Sequence, residues 1–276
     1  MTTQEQERTR NAWDSIAAGF DEFVTPVNMP LAEHALRLAG LRPGMRVLDV
    51  AAGCGALSFR AARLGARVLA TDIAPTMVER LNAHAREEGL SNLEGRVMDG
   101  QALDLEDDTF DIAASQFGVM LFPDLPRGLR EMARVTKPGG RVLIVAFGPP
   151  TKAEFLGFFL GALKAAVPGF TGLPMDPPPL PFQVADPEKL RLEMANAGVT
   201  DIHVETVNHG MEFQSATHMW DTVTSSNPIG AMLVADLTEE QRTAARQVLD
   251  GMLRERSGGS GPAVLNNEVN IGIGAK

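Results

Sequence analysis

The sequence predicts an α/β fold with a doubly wound, mostly parallel sheet and helices on both faces. Short runs rich in β-branched residues alternate with longer amphipathic runs. The short runs are nearly continuous in apolar residues, as is typical of strands buried on both faces. Glycine or proline stands at several boundaries between the two kinds of run, where helices end and begin. Alternation of strand and helix gives parallel strands, because each crossover returns the chain to the same edge of the sheet.

Five short runs are predicted as the parallel strands of this sheet, and two more follow late in the chain. The strands are Arg46–Val50, Arg67–Thr71, Leu93–Met98, Asp111–Ser115, Arg141–Phe147, Thr200–Val207 and Glu268–Ala275. The helices between the first five are Ala56–Leu64, Pro75–Glu88 and Leu125–Thr136. The prediction is therefore a Rossmann-like, seven-stranded sheet.

We expect one domain over residues 1–276, because domains of up to about 250 residues are common. A stripe of Trp13, Ile16 and Phe20 indicates that the first segment is helical. Two hydrophobic or helical segments are inserted late, with a proline-rich stretch, Leu173–Pro181, in the first of them. The parts are an N-terminal helical lid (1–40), a ligand-binding core (41–148), helical cap insertions (149–185 and 214–256) and the end of the sheet (186–213 and 257–276).

The composition excludes several classes of function. A net charge of −10 repels phosphate backbones, so we expect no nucleic acid partner. Cys54 is the only cysteine, which excludes an internal disulfide and a cysteine-rich metal site, and we predict no metal. No window approaches the roughly 18 apolar residues of a membrane span, and the first residues are polar, so we expect a cytoplasmic protein. The sequence is compatible with a monomer or a homo-oligomer.

The strongest functional signal is the segment Val47–Gly55, in which a buried strand ends in a turn of small residues that opens a helix. Small residues let a ligand lie against the backbone, and the free amides at a helix start favour a polar or negative group. Asp72 closes the next strand, 19 residues after Gly53. A carboxylate at that position suits the two hydroxyls of an adenosine ribose.

A glycine turn followed by an acid is also typical of NAD(P)-dependent oxidoreductases. The turn and Asp72 alone therefore do not distinguish a dinucleotide from another ligand that contains adenosine. Three features favour another ligand: Asp49 lies inside the first strand, Asp99–Gln101 follows the third strand, and the chain ends with a strand pair. A ligand with an ammonium group would need a carboxylate such as Asp49. The sequence has no tyrosine, which excludes the common Tyr–Lys proton relay of such oxidoreductases.

With these motifs in order, the sequence resembles class I methyltransferases, in particular the group related to the ubiquinone and menaquinone biosynthesis enzymes. The resemblance covers residues 13–147 well and the rest loosely. Ala51 departs from the family pattern, which often has glycine there, and alanine is tolerable if its φ is negative. The matching segments are Val47–Gly55, Thr71–Met77, Asp99–Leu103, Phe110–Asp111, Ser115–Gly118 and Arg134–Arg141.

The resemblance implies that the chain binds S-adenosylmethionine and transfers its methyl group. It implies that the methionine and ribose part meets Asp49, Ala51, Gly53 and Gly55. Asp72 would hold the ribose hydroxyls, with Ile73 and Met77 beside the adenine. The adenine edge would meet Asp99, Gly100 and Gln101, and the sulfonium end would face Ser115 and Gln116.

The acceptor should lie beyond the carboxyl ends of the strands, where open α/β sheets bind ligands. A lid rich in Phe and Met indicates a small apolar or aromatic acceptor, methylated on O, N or C. His209 or His218 would be the general base if that acceptor is a hydroxyl. A protein that keeps this fold without catalysis is the alternative. The predicted substrate-binding residues are Trp13, Phe20, Phe117, Met120, Phe147 and Trp220.

Overall fold

The sheet of the protein runs in the order β3-β2-β1-β4-β5-β7-β6 in a computed structural model that describes residues 3–173 and 179–276. Within that part of the chain β7 is antiparallel to both of its neighbours, and the remaining pairs are parallel. The predicted fold class is confirmed. The strands are β1 (Arg46–Val50), β2 (Arg67–Asp72), β3 (Leu93–Val97), β4 (Phe110–Gln116), β5 (Thr136–Phe147), β6 (Thr200–Phe213) and β7 (Ala263–Ala275).

The chain begins with a helix pair, α1 (Thr3–Gly19) and α2 (Thr25–Leu38), joined by a π-helical turn over Phe20–Val24. Short 3-10 turns follow β4 at Val119–Leu121 and β5 at Pro150–Lys152. The other helices are α3 (Ala56–Arg63), α4 (Pro75–Glu87), α5 (Leu125–Val135), α6 (Glu154–Ala166), α7 (Pro187–Asn196), α8 (Ala216–Ser226), α9 (Pro228–Val234) and α10 (Glu239–Arg256).

Two hydrophobic layers cover the sheet, one on each face. Helices α2, α3 and α4 cover the first, here named the α2 face, with side chains such as Leu36 and Leu57. Helices α5 and α7 cover the second, the α5 face, with side chains such as Leu129 and Met194. Successive side chains of a strand point to opposite faces, so alternate residues of β1, β4 and β6 belong to different layers.

Strands β6 and β7 continue past the end of β5. The last residue of β5, Phe147, pairs with Val269, whereas residues 263–268 of β7 pair with β6 up to Phe213. Helices α6, α8 and α10 pack on this extension around a separate hydrophobic cluster that includes Phe159 and Trp220. We name this unit the cap. The two predicted insertions therefore share one hydrophobic core, although residues 174–178 of the first lie outside the described residues.

Several predicted boundaries differ from those of the structure. The sixth strand, predicted over Thr200–Val207, continues to Phe213. The fifth strand, predicted to begin at Arg141, begins at Thr136, and its register against β4 shifts between Phe110 and Ile112. Residues 186–213, expected at the end of the sheet, also hold α7, and the Asp186 side chain at the start of that helix accepts a hydrogen bond from the Glu188 backbone amide.

Candidate active site

The glycine turn between β1 and α3 holds three residues in the left-handed region. Ala51 and Gly53 both have φ of 55°, and Gly55 has φ of 95°. The condition on which alanine was acceptable, a negative φ, is therefore wrong for Ala51. A residue with a Cβ loses about 1–2 kcal/mol in this conformation. Backbone strain of this kind concentrates at ligand-binding sites, because the surrounding structure must hold it in place.

Asp49 lies in β1 directly before this turn and is almost fully buried. Its Oδ2 accepts a hydrogen bond of 2.6 Å from the Ser58 hydroxyl, and its Oδ1 has no partner. Desolvation raises the pKa of Asp49 to about 7, and the nearby Asp72 carboxylate adds to that rise. An acid of this kind gains from a bound cation, which would supply the missing partner and favour the ionised form.

Asp72 ends β2 and ties the turn to the start of α4. Its Oδ2 accepts from the Gly53 amide at 2.8 Å, and its Oδ1 accepts from the Ala74 amide at 2.9 Å. Burial raises the pKa of Asp72 despite these bonds. A carboxylate has about four acceptor positions, so two bonds leave capacity for hydroxyl donors of a ligand.

Helix α1 lies directly on the glycine turn and on the start of α4. Ile16 and Ala17 pack against Cys54 and Met77. At Gly53 a Cβ would lie 2.9 Å from Cε1 of Phe20, so the ring covers the backbone there. Met77 is thus enclosed by the helix, whereas Ile73 is half-buried. The predicted lid is a packed layer over this part of the sheet edge.

The turn after β3 contacts the lid through its acid. Asp99 accepts from the Gln101 amide at 2.9 Å through Oδ1 and from Nε2 of Gln6 at 2.9 Å through Oδ2. The Gln101 side chain accepts from the Asp124 amide at 3.0 Å. At Gly100 a Cβ would lie 2.5 Å from Cζ of Phe122. The small residue at this position is therefore required by packing within the protein.

Ser115 and Gln116, the last residues of β4, differ in how their side chains are satisfied. The Ser115 hydroxyl donates to the Val50 carbonyl at 2.7 Å and accepts from the Val119 amide at 2.9 Å. These bonds fasten β4 to β1 and to the turn after β4, and the position of Ser115 at the sulfonium stays a prediction. Gln116 donates through Nε2 to the Asn28 carbonyl at 3.0 Å, and its buried Oε1 has no partner.

An aromatic cluster lies beyond β4 and β5. Phe117, with φ of 60°, stacks on Phe147 at a ring-centroid distance of 4.7 Å. Phe155 of α6 and Phe182 lie 5.9 Å and 6.2 Å from Phe147. The His209 ring lies 6.5 Å from Phe117 on the side of β6. We define the aromatic cluster as these four phenylalanines, which join the sheet to the cap.

The two candidate histidines have different surroundings. His209 is buried, its Nε2 has no partner, and burial lowers its pKa, which favours a neutral ring. His218 is half-buried between Phe23 and Phe213, and its Nδ1 accepts from the Gln214 amide at 3.2 Å. His218 is therefore engaged in local packing, and His209 alone of the pair has a free ring nitrogen enclosed by protein.

Two of the predicted substrate-binding residues lie within hydrophobic clusters of the structure. Met120 is 2% exposed and belongs to the layer on the α5 face. Trp220 is 5% exposed, packs on Phe159 at 5.5 Å, and has the Arg246 guanidinium over its ring. Trp13, by contrast, is half-buried in the lid and meets Phe20 edge to face at 6.2 Å.

Three buried polar atoms without a hydrogen-bond partner lie on one face of the sheet, on residues that the sequence had already indicated, but their lack of a partner could not be predicted. Across the described residues, five buried side-chain nitrogen or oxygen atoms have no hydrogen-bond partner, and three of them lie on the sheet: Asp49 Oδ1, Gln116 Oε1 and His209 Nε2. All three side chains belong to the α2 face, because they alternate with residues of that layer. Those residues are Val47, Ala114 and Val207. Such atoms are rare in native proteins, and three of them on one face of a sheet are candidates for contact with a ligand.

The strand order, the glycine turn and the acid after β2 define the fold as that of class I methyltransferases. The ubiE/COQ5 methyltransferase family matches residues 1–168, and the chain belongs to this family. Among the part of the chain that the structure describes, no helix is long and apolar enough to cross a membrane. Nor does that part contain a group of three or more His, Cys, Asp or Glu residues that could hold a metal ion.

Curated relatives match about half of the chain. An uncharacterized protein of Mycobacterium tuberculosis is 39% identical over 138 residues, 50% of this chain and 49% of its own length. The ubiquinone/menaquinone biosynthesis C-methyltransferase UbiE of Idiomarina loihiensis is 32% identical over 54% of this chain and 63% of its own. The nocamycin O-methyltransferase of Saccharothrix syringae is 35% identical over 50% of each chain. The chain thus spans about half the length of the first of these relatives.

Solved structures share the fold across most of the chain at low sequence identity. Phosphoethanolamine N-methyltransferase 2 of Haemonchus contortus, in complex with S-adenosylhomocysteine, has a TM-score of 0.56 at 17% identity, covering 90% of this chain and 52% of its own. The YcgJ protein of Bacillus subtilis has a TM-score of 0.54 at 20% identity, covering 88% and 98%. The [4+2]-cyclase SpnF has a TM-score of 0.53 at 18% identity, covering 89% and 80%.

Proposed function

We propose that this protein is a cytoplasmic methyltransferase that moves a methyl group from S-adenosylmethionine to a small apolar or aromatic acceptor. The observation that carries the proposal is the set of three unpartnered atoms on the α2 face, Asp49 Oδ1, Gln116 Oε1 and His209 Nε2. Asp49 lies beside the glycine turn, and the His209 ring lies 6.5 Å from Phe117 of the aromatic cluster. The same face of the sheet would therefore hold a cationic donor at one position and an apolar acceptor at another.

The residues beside the glycine turn fit S-adenosylmethionine. Asp49 is a buried acid with one free oxygen, which suits the ammonium of the methionine part, and Asp72 keeps acceptor capacity for the ribose hydroxyls. Asp99 would accept from the adenine amino group. Bound there, S-adenosylmethionine supplies a methyl group on a sulfonium, which an acceptor atom takes by in-line displacement. Because this donor is already activated, the residues mainly align the two partners, which contributes roughly 7–11 kcal/mol in favourable cases.

The acceptor position is formed by the aromatic cluster and His209. The rings of Phe117 and Phe147 offer an apolar surface that would hold an acceptor and exclude water. A neutral His209 accepts a proton at Nε2, so it would serve as general base for an acceptor hydroxyl. Methylation on oxygen is the case in which this residue has a catalytic role.

The test is turnover of S-adenosylmethionine labelled in the methyl group against a panel of phenols, quinols, amines and aliphatic acids. We expect label in an apolar or aromatic acceptor, and loss of transfer to hydroxyl acceptors in His209→Gln. Transfer that is unchanged in His209→Gln would remove the general base from the proposal. Failure of every acceptor, despite tight donor binding, would favour the non-catalytic alternative.

A thermal shift assay separates binding of S-adenosylmethionine from binding of NAD before any acceptor is known. A ligand that binds only the native state raises the melting temperature. We expect S-adenosylmethionine and S-adenosylhomocysteine to raise it and NAD to leave it unchanged. A shift with NAD alone would favour an oxidoreductase and contradict the proposal.

A further inference from the structure

A fully buried asparagine, Asn267, connects the two sides of the proposed acceptor position. It lies in β7, in the extension that carries the cap, and pairs with His209 of β6. On its other side it forms a bridge to Ala153, the residue before α6. Asn267 is therefore the backbone neighbour of both the candidate base and the first helix of the cap.

The side chain of Asn267 uses both ends of its amide. Its Nδ2 donates to the His209 carbonyl at 3.1 Å and to the Leu265 carbonyl at 3.2 Å. Its Oδ1 accepts from the Phe155 amide at 3.2 Å. This amide belongs to the first turn of α6, where backbone donors have no partner within the helix. The N-cap residue Ala153 has no side-chain acceptor, so Asn267 satisfies this donor from a neighbouring strand.

Resting on the proposed function, we propose that Asn267 is a positioning residue that holds His209 at a set distance from Phe155 and so determines which acceptors fit. Phe155 contacts Phe147 and is the member of the aromatic cluster that belongs to the cap. His209 lies beside Phe117, on the side of the cluster that faces β6. One planar amide that bonds to the backbone of both residues couples the position of α6 to the position of the histidine.

Other contacts attach α6 to β7 and α10 without involving His209. The Glu154 carboxylate accepts from the Asn266 amide at 2.6 Å and from the Arg256 guanidinium at 2.6 Å. These bonds keep the start of α6 attached when Asn267 is replaced. The loss of Asn267 should therefore loosen the histidine and the first turn of α6 while the cap stays folded.

The same strand offers a matched control. Asn270 is also fully buried, donates to the Ala185 carbonyl at 2.8 Å and accepts from the Thr206 hydroxyl at 2.8 Å. It lies three positions along β7, on the α5 face, away from His209. Asn267→Ala and Asn270→Ala each remove a buried amide with comparable bonding, so their costs in stability should be similar.

The test is an NMR titration of the histidines, labelled with ¹³C at Cε1, in the full chain without ligand. The five histidines give five signals, and His209→Gln identifies the one in question. We expect Asn267→Ala to raise the pKa of His209 by about half a unit or more, because a looser cap admits water to a ring whose pKa is lowered by burial. Asn270→Ala should leave that pKa unchanged.

Melting temperatures and calorimetric titration with S-adenosylhomocysteine complete the comparison. We expect both variants to melt earlier than the parent and to bind S-adenosylhomocysteine with unchanged affinity. Equal movement of the His209 pKa in both variants, or no movement in Asn267→Ala, would overturn the positioning role. If Asn267→Ala does not fold, Asn267→Ser keeps a hydroxyl donor at the position and should shift the pKa in the same direction by less.

This experiment needs neither methyl donor nor acceptor in the titration. A negative result in the transfer assay with a positive titration would reject the proposed function and keep the coupling between Asn267 and His209. The reverse combination would reject the coupling and keep the function. With an acceptor in hand, Asn267→Ala should raise the Michaelis constant for the acceptor and leave that for the donor unchanged.

Discussion

Nε2 of Gln6, on the first helix, donates a hydrogen bond of 2.9 Å to Oδ2 of Asp99, at the turn after β3. The donor in this bond is an amide NH₂ group. An adenine amino group carries the same kind of donor and would bond to the same oxygen. Closure of α1 by this contact and binding of adenine at Asp99 are therefore in competition.

We predict that Gln6→Ala tightens the binding of S-adenosylhomocysteine by about fivefold, because one hydrogen bond of about 1 kcal/mol no longer has to be exchanged. Isothermal calorimetry measures the change. Gln4→Ala is the matched control, since Gln4 is exposed on the same helix. Weaker binding in Gln6→Ala alone would show that the glutamine assists the ligand instead of competing with it.

Donor affinity should depend on the protonation of Asp49. The pKa of this acid is about 7, and only the carboxylate pairs with an ammonium. We predict that the dissociation constant of S-adenosylmethionine rises on acidification below about pH 7, approaching tenfold per pH unit. Asp49→Asn should weaken binding and remove this dependence. Affinity that is flat between pH 5 and pH 8 in the parent protein would contradict the role of Asp49.

The same acid makes a prediction about stability. Folded Asp49 keeps its proton up to about pH 7, and the unfolded chain releases it near 3.8. The contribution of Asp49 to the free energy of unfolding is thus highest below pH 3.8, and it is lost as the pH rises from 3.8 through 7. We predict that Asp49→Asn gains stability relative to the parent on going from pH 4 to pH 8, by at most on the order of 4 kcal/mol. Urea titrations at the two pH values measure the difference.

Asp72 should contribute to donor binding and to the shape of the turn. We predict that Asp72→Asn weakens S-adenosylhomocysteine binding at least tenfold, because hydrogen bonds to a charged group contribute about 1.5–3 kcal/mol. It should also lower the melting temperature, since its oxygens accept from the Gly53 and Ala74 amides. Asp111→Asn, at the opposite edge of the sheet, breaks an ion pair with Lys137 and should leave affinity unchanged. Equal losses in both variants would reject a specific role for Asp72.

The strain at Ala51 predicts an unusual effect of glycine. We predict that Ala51→Gly raises the free energy of unfolding by about 0.5–1 kcal/mol, because glycine adopts a positive φ without steric cost. Ala52→Gly is the control, since Ala52 is not among the described residues with positive φ. That variant should be destabilised by a similar amount. A thermal melt in which both variants lose stability would show that the Ala51 backbone is not strained.

The two tryptophans should separate cap stability from lid function. We predict that Trp220→Ala lowers the free energy of unfolding by about 3–5 kcal/mol, as expected for a large buried aromatic residue. Trp13→Ala, on the half-buried lid, should cost less stability and change the affinity for S-adenosylhomocysteine more. Chemical denaturation and calorimetry on both variants give the comparison. A small loss of stability in Trp220→Ala, together with a raised Michaelis constant for the acceptor, would show instead that Trp220 contacts the acceptor.

The sheet could be predicted because buried strands and amphipathic helices have different periods in the sequence. Helix α7 was not predicted, although the sequence marks its start. Asp186 is a favourable N-cap residue, and Pro187 is favourable at the first position of a helix. The start of β5 at Thr136 was not predicted, because Gly139 and Gly140 lie inside this strand and a glycine pair usually ends a helix.

The polar details of the site could not be predicted from sequence. A positive φ at Ala51 or Phe117 depends on how the surrounding turn is packed. The free oxygen of Asp49 and the satisfied hydroxyl of Ser115 depend on partners far away in sequence. Apolar periodicity places Trp220 and Met120 on buried surfaces, but it does not say whether a ligand or another helix covers them.

The family match ends at residue 168, just past α6, whereas the cap helices α8 and α10 leave and rejoin the sheet through β6 and β7. Helices α8 and α10 of the cap are therefore bounded in the chain by Phe213 and Ala263, the residues that pair where β6 ends and β7 begins. The segment between these two residues can be replaced without a change in the sequence of the glycine turn. We expect a chimaera made at these two residues to take on a relative's acceptor range and to keep the donor affinity of this chain.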